Sequence, residues 1–165
     1  MKNKKSDFIL FKTEDEKVSV DVRIEDESVW LTQEQMSVLF EKAKSTISEH
    51  IKHIFEEGEL EENMVVRNSQ ITTHHGAIAG KTQTSTLKLY NLDVIISVGY
   101  RVKSLRGTQF RQWATKRLNE YIRKGFTIDD ERLKNLGSSG YWKELLQRIR
   151  DIRASEKIFY RQVLD

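Results

Sequence analysis

The sequence predicts an α+β fold. Three observations carry this: strand-period alternation near the start, a capped pair of short amphipathic helices after it, and long helical periodicity in the last third, with no Pro to interrupt it. At 165 residues the chain is long enough to bury a core. The expected division is a first domain over 1–128 and a helical extension over 129–165, the latter serving dimerisation or belonging to a truncated region.

The first element is a β-hairpin from about Phe8 to Ile24. Phe8 to Phe11 are apolar, Thr13 to Lys17 make a polar turn, and Val18, Val20, Val22 and Ile24 recur at every second position. The acidic corner Glu25 to Glu27 ends it, and Val29 and Trp30 form a short strand leading to the next helix. A helix-turn-helix follows. Thr32 and Gln35 have the form of a capping box, and Ser45 precedes a second apolar run. Met36, Leu39 and Phe40 face inward on the first helix, and Ile47, Ile51, Ile54 and Phe55 on the second, with Glu41 to Lys44 as the turn. This leaves Ser45, Ser48, Glu49 and Lys52 outward.

After an acidic turn at Glu56 to Glu62, the Thr-, Ser- and Gln-rich segment predicts a second hairpin, Val65 to Thr72 paired with Thr84 to Tyr90, in the place of a wing. His74, His75 and Lys81 fall near its tip, where they would meet a nucleic-acid backbone or minor groove. Adjacent residues on a strand point to opposite faces, so the two histidines are not read as a metal pair, and no cofactor is expected.

A helix from about Thr108 to Lys124, closed by Gly125, puts Phe110, Trp113, Ala114, Leu118, Tyr121 and Ile122 on one apolar arc. Gln112, Lys116, Asn119 and Arg123 lie opposite. Arg111 and Arg117, at the margins of the arc, are read as structural; a partly buried guanidinium needs carboxylate or carbonyl partners, and Asp93 or Glu120 could supply one. The segment holding Arg101, Lys103 and Arg106, with Gly99 and Gly107 as flexible punctuation, either cradles phosphate or holds two helices together. A short helix over Asp129 to Leu136, capped by Thr127 or Asp129, is followed by the spacer Gly137 to Gly140. An amphipathic helix over Tyr141 to Asp165 closes the chain, with Leu145, Ile149, Ile152, Ile158 and Val163 near helical period.

Charge is unevenly distributed. Val65 to Gly125 carries 11 Lys/Arg against 2 Asp/Glu, whereas Met1 to Met64 carries 9 against 16. A basic block of this kind predicts a surface for phosphates. The residues expected to touch DNA are Lys44, Ser45, Ser48, Lys52, Arg101, Lys103, Arg106, Gln112, Lys116, Asn119 and Arg123. The absence of Cys excludes disulfides, thiolate chemistry and Cys-ligated zinc fingers. No run of about 18 apolar residues and no secretory signal is present, so a cytoplasmic location without membrane contact is expected. Asp129, Asp130 and Glu131 are the close acidic trio in the basic half, but acids are expected at a helix start from the dipole alone, so no catalysis is predicted.

The run from Leu31 through Phe55, then EEGELEEN at Glu56 to Asn63, then NLDVIISVGYRVKS and RGTQFRQWATKRLNEYIRKGFTIDDERL, resembles the RhuM family of bacterial virulence-associated proteins. More distantly, Phe110, Trp113, Ile122, Arg123, Lys124 and Gly125 are similar to the BRO-type N-terminal domain of phage antirepressors. These resemblances imply a DNA-binding or regulator-binding module of mobile elements. Against its relatives, Asn68 to Ser85 looks locally expanded and the chain stops early at Asp165. The function expected is therefore a DNA-binding regulator or antirepressor-like protein acting as a homodimer. The alternatives are a module that captures another regulator and, third, a metal-dependent nuclease.

Overall fold

The computed structural model describes residues 6–12, 17–25, 28–74, 80–135 and 140–164. Strand β1 (Ser6–Lys12) pairs antiparallel with β2 (Lys17–Glu25), which pairs antiparallel with β3 (Ser28–Trp30). The alternation thus makes the expected hairpin. Its turn at 13–16 and most of the acidic corner lie outside the described residues.

Helix α1 (Gln33–Phe40) begins where Thr32 and Gln35 predict, with both capping-box bonds formed: Gln35 N–H donates to Thr32 Oγ1 at 3.1 Å and Thr32 N–H to Gln35 Oε1 at 2.8 Å. It buries Met36, Leu39 and Phe40 and ends at Glu41, which adopts the left-handed conformation with φ 51°. There Lys42 N–H donates to Ser37 O at 3.0 Å, the long bond that closes a Schellman-type ending. Helix α2 (Lys44–Glu56) follows at once, burying Ile47, Ile51 and Ile54, with Phe55 half-buried.

Ser45 does not cap α2, contrary to expectation. Ala43 holds the extended N-cap position without a side-chain bond, so the helix is already under way at Lys44. Gly58, with φ 70°, lets the chain reverse while Glu59 N–H donates to Ile54 O. A short helix α3 (Glu62–Val65) then leads into a long ribbon, β4 (Val66–His74) paired antiparallel with β5 (Thr82–Tyr90).

The ribbon is fastened at its base. Leu31 and Tyr90 exchange both backbone hydrogen bonds, at 2.9 and 2.8 Å, joining the end of β5 to the residue between β3 and α1. The Tyr90 hydroxyl accepts from Gln33 Nε2 at 2.9 Å, and the Arg67 guanidinium lies 4.4 Å from the centroid of the Trp30 ring.

Helix α4 (Leu92–Arg101) starts at Asn91, whose side-chain oxygen accepts from Asp93 and Val94 N–H. Its buried face is Val94, Ile95, Val98 and Gly99. Helix α5 (Leu105–Lys124) begins three residues before the expected Thr108, because Ser104 accepts from Gly107 N–H with its hydroxyl and from Thr108 N–H with its carbonyl. Gly125 closes it as predicted, with φ 80°. α6 (Asp130–Asn135) has Asp129 O accepting from Leu133 N–H at its start, and α7 (Gly140–Leu164) follows. Leu136, the expected last residue of the short helix, and residues 137–139 of the expected spacer lie outside the described residues.

The chain divides into two compact units, Met1–Asn119 and Glu120–Asp165. The first holds a core of Leu31, Met36, Leu39, Phe40, Ile47, Ile54, Val94, Ile95, Val98, Val102 and Phe110, drawn from α1, α2, α4 and the start of α5. Two expectations for the basic half need correction. Gly99 and Gly107 are close-approach positions rather than flexible points. A Cβ on Gly99 would stand 2.5 Å from Phe110 Cε1, and one on Gly107 2.6 Å from Val102 Cγ2. The apolar arc of α5 is inward only in its first half: Phe110 is buried and Trp113 half-buried, but Leu118, Tyr121 and Ile122 are exposed.

Candidate nucleic-acid interface

The basic residues of the first unit separate into those that fasten the fold and those that do not. Arg101, at the end of α4, donates to Glu57 through both Nη1 and Nη2 and to Glu59 through Nη2. Glu57 is held below the ordinary carboxylate range by the hydrogen bond from Arg101, and Glu59 by bonds from Ser97 and then Arg101. Arg106, near the start of α5, donates from Nε to Glu41 at 3.1 Å. Glu41 is the last residue of the α1 helix ending and Glu57 follows α2 directly, so the two arginines tie down the chain at both ends of α2. Of the two roles open to this segment, Arg101 and Arg106 take the one that holds helices in place.

Arg111 extends the same work. Its Nη1 donates to Gly99 O and Val102 O, each at 3.0 Å, satisfying carbonyls at the end of α4. Its structural role was legible, and of the carboxylate or carbonyl partners expected it takes carbonyls, while Asp93 instead accepts from Asn91. Two lysines assigned to DNA are also paired: Lys44 with Glu34 at 2.8 Å and Lys52 with Glu56 at 3.5 Å. Both pairs are exposed, so they are weak and open to competition from phosphate.

Among the described residues, Lys42, Lys81, Lys103 and Lys116 in the first unit, and Arg123, Lys134, Lys143, Arg150 and Arg153 in the second, have no carboxylate partner. Gln112, Lys116, Asn119 and Arg123 are exposed, as the winding of α5 requires. Ser45, Ser48, Glu49 and Lys52 are exposed on α2. With Glu49 and Glu56 beside Lys52, this face carries no excess of positive charge. Half-buried His50 on the same helix has its pKa pushed down by burial, and Arg101, His53 and Lys42 add to that against Glu49, so its neutral form is favoured.

The β4–β5 ribbon is the expected wing-like hairpin, and its body, not only its tip, presents a polar face. Its register pairs Asn68 with Lys88, Gln70 with Thr86, and Thr72 with Thr84, which places these six side chains on one face. All six are exposed. The other face carries Arg67, Ser69, Ile71, Leu87 and Leu89, which are half-buried or buried, and toward the tip the exposed Gln83 and Ser85. No Asp or Glu occurs between Glu62 and Asp93. The period-two polar pattern and this acid-free run were both present in the sequence and would have pointed to the face.

A family model, the virulence protein RhuM family, matches residues 64–165. The chain belongs to the RhuM family. The RhuM match takes in the ribbon, α4, α5, α6 and α7; it begins after the α1–α2 pair, so the likeness that the sequence suggested from Leu31 onward is carried by the residues from Met64. It names RhuM and does not extend to BRO-type domains. No curated protein and no solved structure matches this RhuM chain. Among the described residues, no helix is long and apolar enough to cross a membrane, and no group of three or more His, Cys, Asp or Glu is arranged to hold a metal ion.

Proposed function

We propose that this RhuM protein is a DNA-binding regulator whose first unit docks on duplex DNA as a winged helix-turn-helix. The observation that supports it best is the ordered set β3, α1, tight turn, α2, β4–β5 ribbon, with the Leu31–Tyr90 bridge bringing the ribbon back beside the strand before α1. That order presents the exposed face of α2 and the ribbon as two protrusions from one core. The cations available for phosphate are fewer than the composition suggests, because Arg101, Arg106 and Arg111 are engaged in the fold.

The magnitude follows from counterion release. If Lys42, Lys81, Lys103 and Lys116 are the principal phosphate contacts, the slope of log K against log salt is roughly −4, where all the Lys and Arg of the basic block would give about −10. An electrophoretic shift on random duplex, titrated with salt, measures it. Lys103→Ala/Lys116→Ala is expected to flatten the slope by about two and weaken binding to all sequences alike. Undiminished affinity in that variant would refute the assignment.

A second reading, capture of another protein, is favoured by a separate observation. The second unit exposes Tyr121, Ile122, Phe126, Tyr141, Trp142, Ile149 and Ile152, more large apolar side chains than a solvated surface usually carries. Tight retention of a protein partner, with no shift of any duplex at low salt, would favour it over the first.

A further inference from the structure

We infer that the exposed face of the β4–β5 ribbon reads base edges in the major groove of duplex DNA. The inference rests on the proposed DNA-binding function and adds the surface that supplies its sequence preference. Asn68, Gln70, Thr72, Thr84 and Thr86 share this face, all exposed and, among the described residues, without a side-chain hydrogen bond inside the protein. A purely solvated ribbon face ordinarily mixes both signs of charge. This one combines amides and hydroxyls with Lys88, whose ammonium pairs with Glu62 of α3 at 3.3 Å in an exposed contact open to exchange, and Lys81 precedes β5; the ribbon itself contains no acid.

Its dimensions suit the B-form groove. Two strands about 4.8 Å apart with their side chains make a ribbon that a groove roughly 12 Å wide admits. Residues on one face recur about every 6.8 Å along a strand, close to two base-pair steps of roughly 3.4 Å, so the three rows Asn68/Lys88, Gln70/Thr86 and Thr72/Thr84 subtend about four steps. Asn and Gln amides match the paired acceptor and donor of adenine, and Thr offers a methyl to thymine. The recognised site should therefore be rich in A·T pairs at the ribbon. A-form RNA presents a major groove too narrow for this element, which selects duplex DNA.

The experiment is enrichment of sites from a random duplex DNA library by the full chain, by Asn68→Ala/Gln70→Ala, by Thr84→Val/Thr86→Val, which keeps strand-forming side chains, and by Ser45→Ala/Ser48→Ala. Melting by circular dichroism checks that each is folded. Wild type is expected to enrich an A·T-containing motif. The ribbon variants should lose preference at two or more adjacent positions, about tenfold at each, while affinity for random duplex and its salt slope hold. A motif unchanged in both ribbon variants overturns the inference, as does a motif lost only in Ser45→Ala/Ser48→Ala. Wild-type binding to duplex without any enriched motif also overturns it, yet leaves the DNA-binding function standing. No shift of any duplex at low salt brings down both. Conversion of a wild-type dimer to monomer by the ribbon variants in light scattering would make the face a pairing surface and overturn the inference too.

Discussion

Gly99→Ala tests how tightly α4 is packed on α5. The added Cβ would lie 2.5 and 2.6 Å from two carbons of the Phe110 ring and 3.1 Å from Phe40 Cζ. Comfortable carbon contacts are about 3.5–4.0 Å, so the ring would have to retreat by roughly 1 Å. It has little freedom to do so: Phe110 is 3% exposed, with ring centroids of Phe40, Trp113 and Tyr100 at 5.7, 5.9 and 6.2 Å. Overpacking of a full core costs about 1–3 kcal/mol. The substitution also gains up to about 1 kcal/mol, because Ala loses less backbone freedom than Gly in a helix. The clash wins, and the variant should be less stable by about 1–2 kcal/mol, read as a lower urea midpoint at unchanged slope. Phe110→Leu removes the offending ring, so the cost of Gly99→Ala should shrink in that background, with a coupling of at least about 0.5 kcal/mol. A Gly99→Ala protein as stable as wild type, or costs that simply add, would refute the packing argument.

Three further outcomes are expected. Thr32→Ala, which removes one half of the capping box, should cost about 1 kcal/mol in urea unfolding, and Thr32→Ser should restore most of it. Arg111→Ala strips a donor from two carbonyls at the end of α4 and should cost about 1–3 kcal/mol by the same measurement; Arg111→Lys, a single point donor, should recover only part. Glu57 and Glu59 have folded pKa values below the ordinary 4.5, so their contribution is present above that pH and lost as pH falls through the lower folded values. The melting-temperature gap between wild type and Arg101→Gln should therefore narrow as pH falls below about 4.5, and a gap independent of pH would show that Arg101 acts by packing alone.

The parts of the fold that the sequence announced are those whose signals are local. The capping box at Thr32, the spacing of Met36, Leu39 and Phe40, the alternation of the hairpins and Gly125 after α5 each act within a few residues, and each appears where expected. Helix α4 was not assigned, because Val94, Ile95 and Val98 are β-branched and the apolar run is as short as a strand; Asn91 with Asp93 was the available cue. The fate of the arginines was beyond local reading. Arg101 meets glutamates 44 and 42 positions earlier, and Arg106 one 65 positions earlier, so only the tertiary fold decides that they fasten helices. The same limit applies to Leu118, Tyr121 and Ile122. Their helical period was correct, but period alone does not say whether anything covers the face.

A dense run of Lys and Arg is therefore not yet a cationic surface, and here the difference has a mechanical consequence. A reading head must hold its presented elements to a fraction of an ångström for side chains to meet base edges, and flexible attachment at either end of a recognition element would cost that precision. Arg106 on Glu41 fixes the chain entering α2, Arg101 on Glu57 and Glu59 fixes the chain leaving it, and the Leu31–Tyr90 bridge fixes the root of the ribbon. Charges engaged in this way contribute little to phosphate attraction. On the proposed function, they lower the salt-dependent, sequence-blind part of binding while stiffening the elements on which any sequence preference depends, which shifts the balance from affinity toward discrimination.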